Sequence, residues 1–230
     1  MANIKIHIIH GWTYTLDAWE PCLAELRSRG FEPVMLRVPG LAEKSDKVWT
    51  LPEYVIWLEK ALVGEQNVTL LGHSNGGRIA IAAIAKNPSL IRKLILLDSA
   101  GIVHNEFPLR AKRAVFGGLA RIGKFFLNSS LVRKIFYKII GANDYGRAGE
   151  NMRETMKNLI SRDLTPELTK ISIPTLILWG KEDKITPLSD AYLMQKNIKD
   201  SKLVVIGGAK HSPHITHPKI VAEEIAKFTN

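Results

Sequence analysis

The sequence predicts an α/β chain, in which a mostly parallel central sheet carries helices on both faces and a helical lid is inserted after the strand that ends at Asp98. Three observations predict it. Short apolar runs of strand length alternate with amphipathic segments of helix length through the first hundred residues. Most of those runs are apolar throughout, as strands buried on both faces must be. The alternation then stops for some 67 residues, 102 to 168, and afterwards resumes.

Taken in order, Ile4 to Ile9 reads as a central strand running into the loop His10-Gly11-Trp12-Thr13. Asp17 to Gly30 is helical, with Trp19, Leu23 and Leu26 at near-helical spacing and Gly30 just past the end. Glu32 to Val38 is the next strand, closed by Pro39-Gly40. Leu51 to Val63 repeats the helical pattern through Leu51, Val55, Leu58 and Leu62. Val68 to Leu71 is a strand, Arg78 to Lys86 a helix and Leu94 to Leu97 a strand. Within the insert, Val115, Leu119, Ile122 and Phe126 form one apolar stripe, and Val132, Ile135/Phe136 and Ile139/Ile140 a second. Ile173 to Gly180 restores a strand, Ser189 to Asn197 a helix, Lys202 to Ile206 a last strand and Pro218 to Phe228 a closing helix. The expected domains are therefore a core of 1–101 and 169–230, with 102–168 as the lid.

The chain turns on Gly72-His73-Ser74-Asn75-Gly76-Gly77. A serine between a buried strand and a helix projects from the carboxyl edge of the sheet. The flanking glycines suit a strained turn in tight strand–helix contact. The helix N-terminus also aims N–H groups at developing negative charge. A serine hydroxyl needs a histidine to take its proton, and the histidine needs a carboxylate to hold its tautomer. In this architecture both come from loops after later strands. Asp183, in Gly180-Lys181-Glu182-Asp183, and His211, in Gly207-Gly208-Ala209-Lys210-His211, hold those places. Asp98 is a rival acid, Glu182 a rival by a one-residue shift, and His214 and His217 are rival bases that read better as capping or surface groups. His73 should turn away from Ser74. His7 and His104 show no context beyond polar surface. The backbone N–H groups of Trp12 and Asn75 are placed to form an oxyanion hole.

The segments His10-Gly11-Trp12, Gly72 to Gly77, Trp179 to Pro187 and His211-Ser212-Pro213-His214 together resemble the α/β-hydrolase superfamily, in its capped branch of carboxylesterases, C–C bond hydrolases and proline iminopeptidase-like enzymes. The resemblance spans nearly the whole length. It implies Ser74, Asp183 and His211 as the triad and 102–168 as a lid over the pocket. The antiparallel hairpin with which members often begin is missing. Arg37-Val38 precedes Pro39-Gly40 where many members carry an aspartate, and His217 stands where glutamate is common. A serine nucleophile argues against dehalogenase and epoxide hydrolase chemistry, which uses an aspartate there.

Composition narrows the expectations further. The chain has 230 residues, 46% of them hydrophobic, enough for a sizeable core. Its single cysteine, Cys22, reads as a small buried side chain on the first helix. The start lacks the apolar stretch of a secretory signal, and no apolar run reaches spanning length, so a cytoplasmic setting is expected. No Cys/His cluster or phosphate-cradling glycine loop occurs, and no cofactor or metal is expected.

The formal charge is +10, and from Glu106 to Arg147 nine Lys/Arg face two acids, a surplus of seven. Simple solvation of a lid accounts for such a stretch. So do an acidic carrier protein, a lipid-like substrate or an anionic lipid surface. Nucleic acid is not expected, since no recognition motif accompanies the charge. The expected activity is cleavage of small carboxylic esters through an acyl-enzyme. The alternatives are a C–C bond hydrolase or acyl-carrier methyl esterase with the same triad, or a non-catalytic receptor. Lid residues such as Phe116, Phe125, Phe126 and Tyr137 would shape the pocket. Because a general base must be unprotonated, kcat/KM is expected to rise with pH through roughly 6–7.

Overall fold

The computed structural model of the chain describes residues 4–13, 15–103 and 150–229. Six parallel strands form one sheet in the order β2-β1-β3-β4-β5-β6. They are β1 (Ile4–Ile9), β2 (Phe31–Leu36), β3 (Thr69–His73), β4 (Lys93–Leu97), β5 (Thr175–Gly180) and β6 (Ser201–Ile206). The helices are α1 (Glu20–Ser28), α2 (Leu51–Ala61), α3 (Asn75–Lys86), α4 (Glu150–Ile160), α5 (Thr165–Leu168), α6 (Leu188–Asn197), α7 (Pro213–Thr216) and α8 (Pro218–Thr229). No helix among the described residues is long and apolar enough to cross a membrane.

Strand parity sorts the core into two layers. Leu70, Leu94, Leu96, Ile177 and Trp179 pack on one face with residues of α2, α3, α5 and α6. Their neighbours Leu71, Ile95, Leu97, Leu176 and Leu178 pack on the other with α1 and α8. Each such leucine or isoleucine, fully removed from water, contributes roughly 1.5–3 kcal/mol. Cys22 is buried in the second layer, and burial pushes its thiol up to about 12, so it behaves as a small apolar side chain. α2 starts cleanly because Thr50 and Glu53 close a capping box, with the Thr50 N–H donating to Glu53 Oε2 at 2.8 Å.

The chain order reverses between β1 and β3. β1 hands on to β2 at one edge, and β3 to β6 then build toward the other. Loops leaving the carboxyl ends of β1 and β3 diverge there and open a crevice. His10-Gly11-Trp12 follows β1 and Ser74 follows β3, so both lie at that crevice.

Two differences from the sequence reading stand out. α3 begins at Asn75 rather than Arg78, because Gly76 and Gly77 are helical. His7 is buried, not polar surface: a central parallel strand has no solvent face, and its Nε2 lies 3.8 Å from Glu65 Oε1. Of the expected lid, residues 150–168 contribute α4 and α5, with Leu159, Leu164 and Leu168 buried in the first core layer. Both apolar stripes, His104, Phe116, Phe125, Phe126, Tyr137 and the whole basic stretch from Glu106 to Arg147 lie outside the described residues.

The glycines that flank Ser74 at the end of β3 and the start of α3 are required by space. A Cβ on Gly72 would stand 2.6 Å from Gly77 Cα and 2.8 Å from the Gly76 carbonyl oxygen, backbone that cannot step aside. Around Gly207 a Cβ would meet nothing within 4 Å. Urea unfolding should therefore show Gly72→Ala destabilised by about 1–3 kcal/mol, and Gly207→Ala unchanged within about 0.5 kcal/mol. Equal effects would contradict this packing.

Candidate active site

Ser74 is the one residue between β3 and α3. Its backbone sits at φ 51°, ψ −117°, a region that costs a non-glycine residue on the order of 1–3 kcal/mol. Four hydrogen bonds hold it there. The Ser74 N–H donates to the Leu97 carbonyl at 3.1 Å, and the Ser74 carbonyl accepts from the N–H groups of Gly77, Arg78 and Ala100 at 3.0, 3.3 and 2.9 Å. The strained turn is thus pinned by its own helix and by the end of β4.

His211 and Asp183 arrive from the loops after β6 and β5. His211 Nε2 lies 2.9 Å from Ser74 Oγ, and its Nδ1 lies 2.7 Å from Asp183 Oδ2. The Asp183 side chain is fully buried, and its oxygens accept further bonds from the Ile185 N–H (2.7 Å), the Thr186 N–H (3.1 Å) and Thr186 Oγ1 (2.6 Å). Burial pushes this carboxyl up. The bonds from His211, Thr186 and Ile185 outweigh that and hold it below the usual carboxylate range. Asp183 is therefore ionised at neutral pH and fixes His211 with its Nδ1 proton inward, leaving Nε2 free to accept from the serine hydroxyl.

Glu182 is exposed and plays no part in this contact. Asp98 is fully buried. Its Oδ1 accepts the Gly180 N–H at 2.7 Å, and its Oδ2 has no hydrogen-bond partner among the described residues. Burial pushes it up to about 8, the nearby charge of Asp183 adds to that, and the Gly180 bond opposes both. The two candidate acids thus separate by environment, one held charged against the imidazole and the other largely neutral behind it.

Among the other histidines of the site, His214 needs correction. His214 is not a surface or capping group. It is buried, stacked on Trp19 with ring centroids 3.9 Å apart, and burial together with His211 lowers it to about 3. His73 does face away from Ser74, but its Nε2 is 2.9 Å from the His211 carbonyl oxygen, so it supports the His211 loop from behind. His217 bonds its neighbour Thr216 through Nδ1 at 2.8 Å. His10 is a further support that sequence reasoning did not single out. Its Nε2 accepts the Val38 N–H at 3.1 Å, which leaves its proton on Nδ1 for the Gly11 carbonyl at 2.8 Å, tying the loop after β1 to the chain beyond β2. Thr186 was likewise missed as a partner of Asp183.

A cavity of about 530 Å³ opens over Ser74 and His211. Gly11, Trp12 and Asn75 line it close to Ser74, with apolar surface from Trp19, Ile102, Met156, Ile160 and Ile215. Gly11 is required there, since a Cβ would come within 2.9 Å of His73 Nδ1 and 3.0 Å of Ser74 Cβ. Among the described residues, metal-ligating atoms gather within 4.8 Å of one another at His73, Asp98 and His211. Both ring nitrogens of His211 are engaged by Ser74 and Asp183, and His73 Nε2 by a carbonyl, so this cluster is not a vacant ligand set.

The arrangement can activate a hydroxyl for attack on a carbonyl held in a largely apolar pocket. The model of a family described as the alpha/beta hydrolase family matches residues 8–224. The AB hydrolase superfamily protein YisY of Bacillus subtilis (strain 168) is 29% identical over 252 residues, covering 98% of this chain and 91% of the relative. A pimeloyl-acyl-carrier protein methyl ester esterase of Aeromonas hydrophila is 25% identical over 246 residues, covering 96% of this chain and 93% of the relative. The crystal structure of a serine hydrolase involved in carbazole degradation, the CarC enzyme, matches the fold with a TM-score of 0.73 at 21% identity, covering 99% of this chain and 91% of that one.

His214 generates a pH prediction. Its folded value of about 3 lies below the usual 6.5, so the unfolded chain binds the extra proton between those limits. Its contribution to stability is present above pH 6.5 and is lost as pH falls through that window. His214→Phe keeps the stacking on Trp19. It should reduce the slope of unfolding free energy between pH 4 and 6 by close to 1.4 kcal/mol per pH unit, roughly one proton. An unchanged slope would show that His214 charges freely in the folded state.

Proposed function

Because this chain belongs to the alpha/beta hydrolase family, we propose that it is a serine hydrolase cleaving carboxylic esters through an acyl-enzyme. The observation that carries this reading is the unbroken hydrogen-bonded series Ser74–His211–Asp183, at 2.9 and 2.7 Å, opening on the cavity. Ser74 Oγ attacks the ester carbonyl carbon while His211 Nε2 takes its proton. Asp183 stabilises the imidazolium that results. The N–H groups of Trp12 and Asn75 receive the oxyanion, with the N-terminus of α3 adding favourable field. The bond to the alcohol oxygen breaks as His211 returns the proton to it. Water then attacks the acyl-enzyme by the same route and releases the acid. Residues 102–168 serve as the lid in this reading.

A narrower reading places the scissile ester on an acyl chain borne by an acidic carrier protein. It is supported by the relatives that act on acyl-carrier protein methyl esters and by the nine-to-two excess of Lys/Arg over acids from Glu106 to Arg147. Such an enzyme would lose apparent affinity for a carrier-borne ester steeply with salt, while its rate on small esters would change little.

The test is hydrolysis of p-nitrophenyl esters from C2 to C16 by wild type and Ser74→Ala. Wild type should turn over part of the ladder, and Ser74→Ala should lose on the order of 10⁴–10⁶ in kcat. A mutant as active as wild type would remove Ser74 from the chemistry. Absence of turnover on every ester would favour the C–C hydrolase or receptor reading.

A further inference from the structure

Arg78 has no role in the acyl-transfer chemistry above, yet it is a buried cation lining the same cavity. It lies on the first turn of α3, lines the cavity with Ser74 and is 4% exposed. Its Nη1 donates to the Arg162 carbonyl at 2.7 Å, while its Nε is buried with no hydrogen-bond partner among the described residues. Asp163 is the acid whose charge it feels, but Asp163 Oδ1 is occupied by the N–H groups of Val103 and Thr165 (3.1 and 3.2 Å) and by Thr165 Oγ1 at 2.8 Å. Burial lowers the guanidinium only to about 10, so it keeps its charge at neutral pH. Asp190, a buried acid that lines the cavity, makes contacts of its own, including one from Ser189 Oγ at 3.4 Å.

A buried guanidinium with an unmade hydrogen bond is costly, and a methionine would fill the same volume without that cost. An anion entering with the substrate would relieve that imbalance. We propose that Arg78 forms a carboxylate subsite, so that the substrates hydrolysed at Ser74 are esters bearing a second, free carboxylate. Four residues of helix rise about 6 Å, so the carboxylate sits a short spacer away from the scissile carbonyl. The position near the N-terminus of α3 favours the same charge. A planar carboxylate also matches the fork of donors that a guanidinium presents. This inference rests on the ester-hydrolase reading for its reaction, but not for its binding.

The experiment compares monomethyl esters of C5 to C8 dicarboxylic acids with methyl esters of monocarboxylic acids of equal length, following methanol release. Wild type should prefer the half-esters, mainly through KM, and Arg78→Met should reduce the ratio of the two kcat/KM values by at least ~10-fold. Arg78→Lys, which keeps charge and approximate length, should restore part of it and serves the same comparison if the methionine variant does not fold. Calorimetry with the free C5 to C8 dicarboxylates reads the subsite without turnover and should show binding lost in Arg78→Met. A ratio and a dicarboxylate affinity both unmoved by Arg78→Met would overturn the subsite. Arg78-dependent dicarboxylate binding without hydrolysis of any ester would uphold the subsite and overturn the ester reading.

Discussion

The site depends on one constraint, the passage of the chain from a buried strand to a buried helix through a single residue. β3 ends at His73 and α3 begins at Asn75, so Ser74 must make the whole turn, and its backbone is held at φ 51° to do so. The turn survives because its neighbours overdetermine it. Gly72 and Gly77 lie too close for a Cβ, Gly76 lies against the carbonyls of Ile9 and His10, and the Ser74 carbonyl gathers three N–H groups, one of them from the segment after β4. The strain leaves the hydroxyl standing above the carboxyl edge of the sheet, where the loops after β5 and β6 reach it.

Electrostatics then divides the labour among groups of the same kind. Asp183 and Asp98 are both buried aspartates at strand ends. Asp183 collects donors from Ile185, Thr186 and His211 and stays ionised, whereas the Asp98 carboxylate has, among the described residues, the Gly180 N–H alone and is driven toward its neutral form. The histidines divide likewise. His73 and His214 are kept neutral by burial, and like charge adds to it, from His214, His211 and His10 in the first case and from His211 in the second. The partly exposed imidazole of His211 is the one held between the serine and the carboxylate.

Much of this was legible in the sequence because parallel strands buried on both faces write themselves as apolar runs, and because the serine, acid and histidine follow such runs in order. The start of α3 was not legible. Glycine pairs read as loop, and only the close approach of β3 to the helix, which demands glycine, makes them helical. His7 and His214 were misread for one reason: polar residues near apolar runs suggest surface, but at these two positions the strand and the helix face the interior, His214 against Trp19. Arg78 and Thr186 were missed because their importance comes from what faces them across the fold, Arg162 in one case and Asp183 in the other. The basic stretch lies outside the described residues, and its contribution rests on charge count alone.

The central claim is that the Ser74 hydroxyl is a nucleophile activated by His211. Labelling with a fluorophosphonate, followed by intact mass and peptide mapping, addresses it without knowledge of the substrate. The account predicts a single adduct on the peptide carrying Ser74, abolished in Ser74→Ala and formed far more slowly in a folded His211→Ala variant. Folded wild-type protein that takes up no label, or takes it up on another residue, would contradict the account.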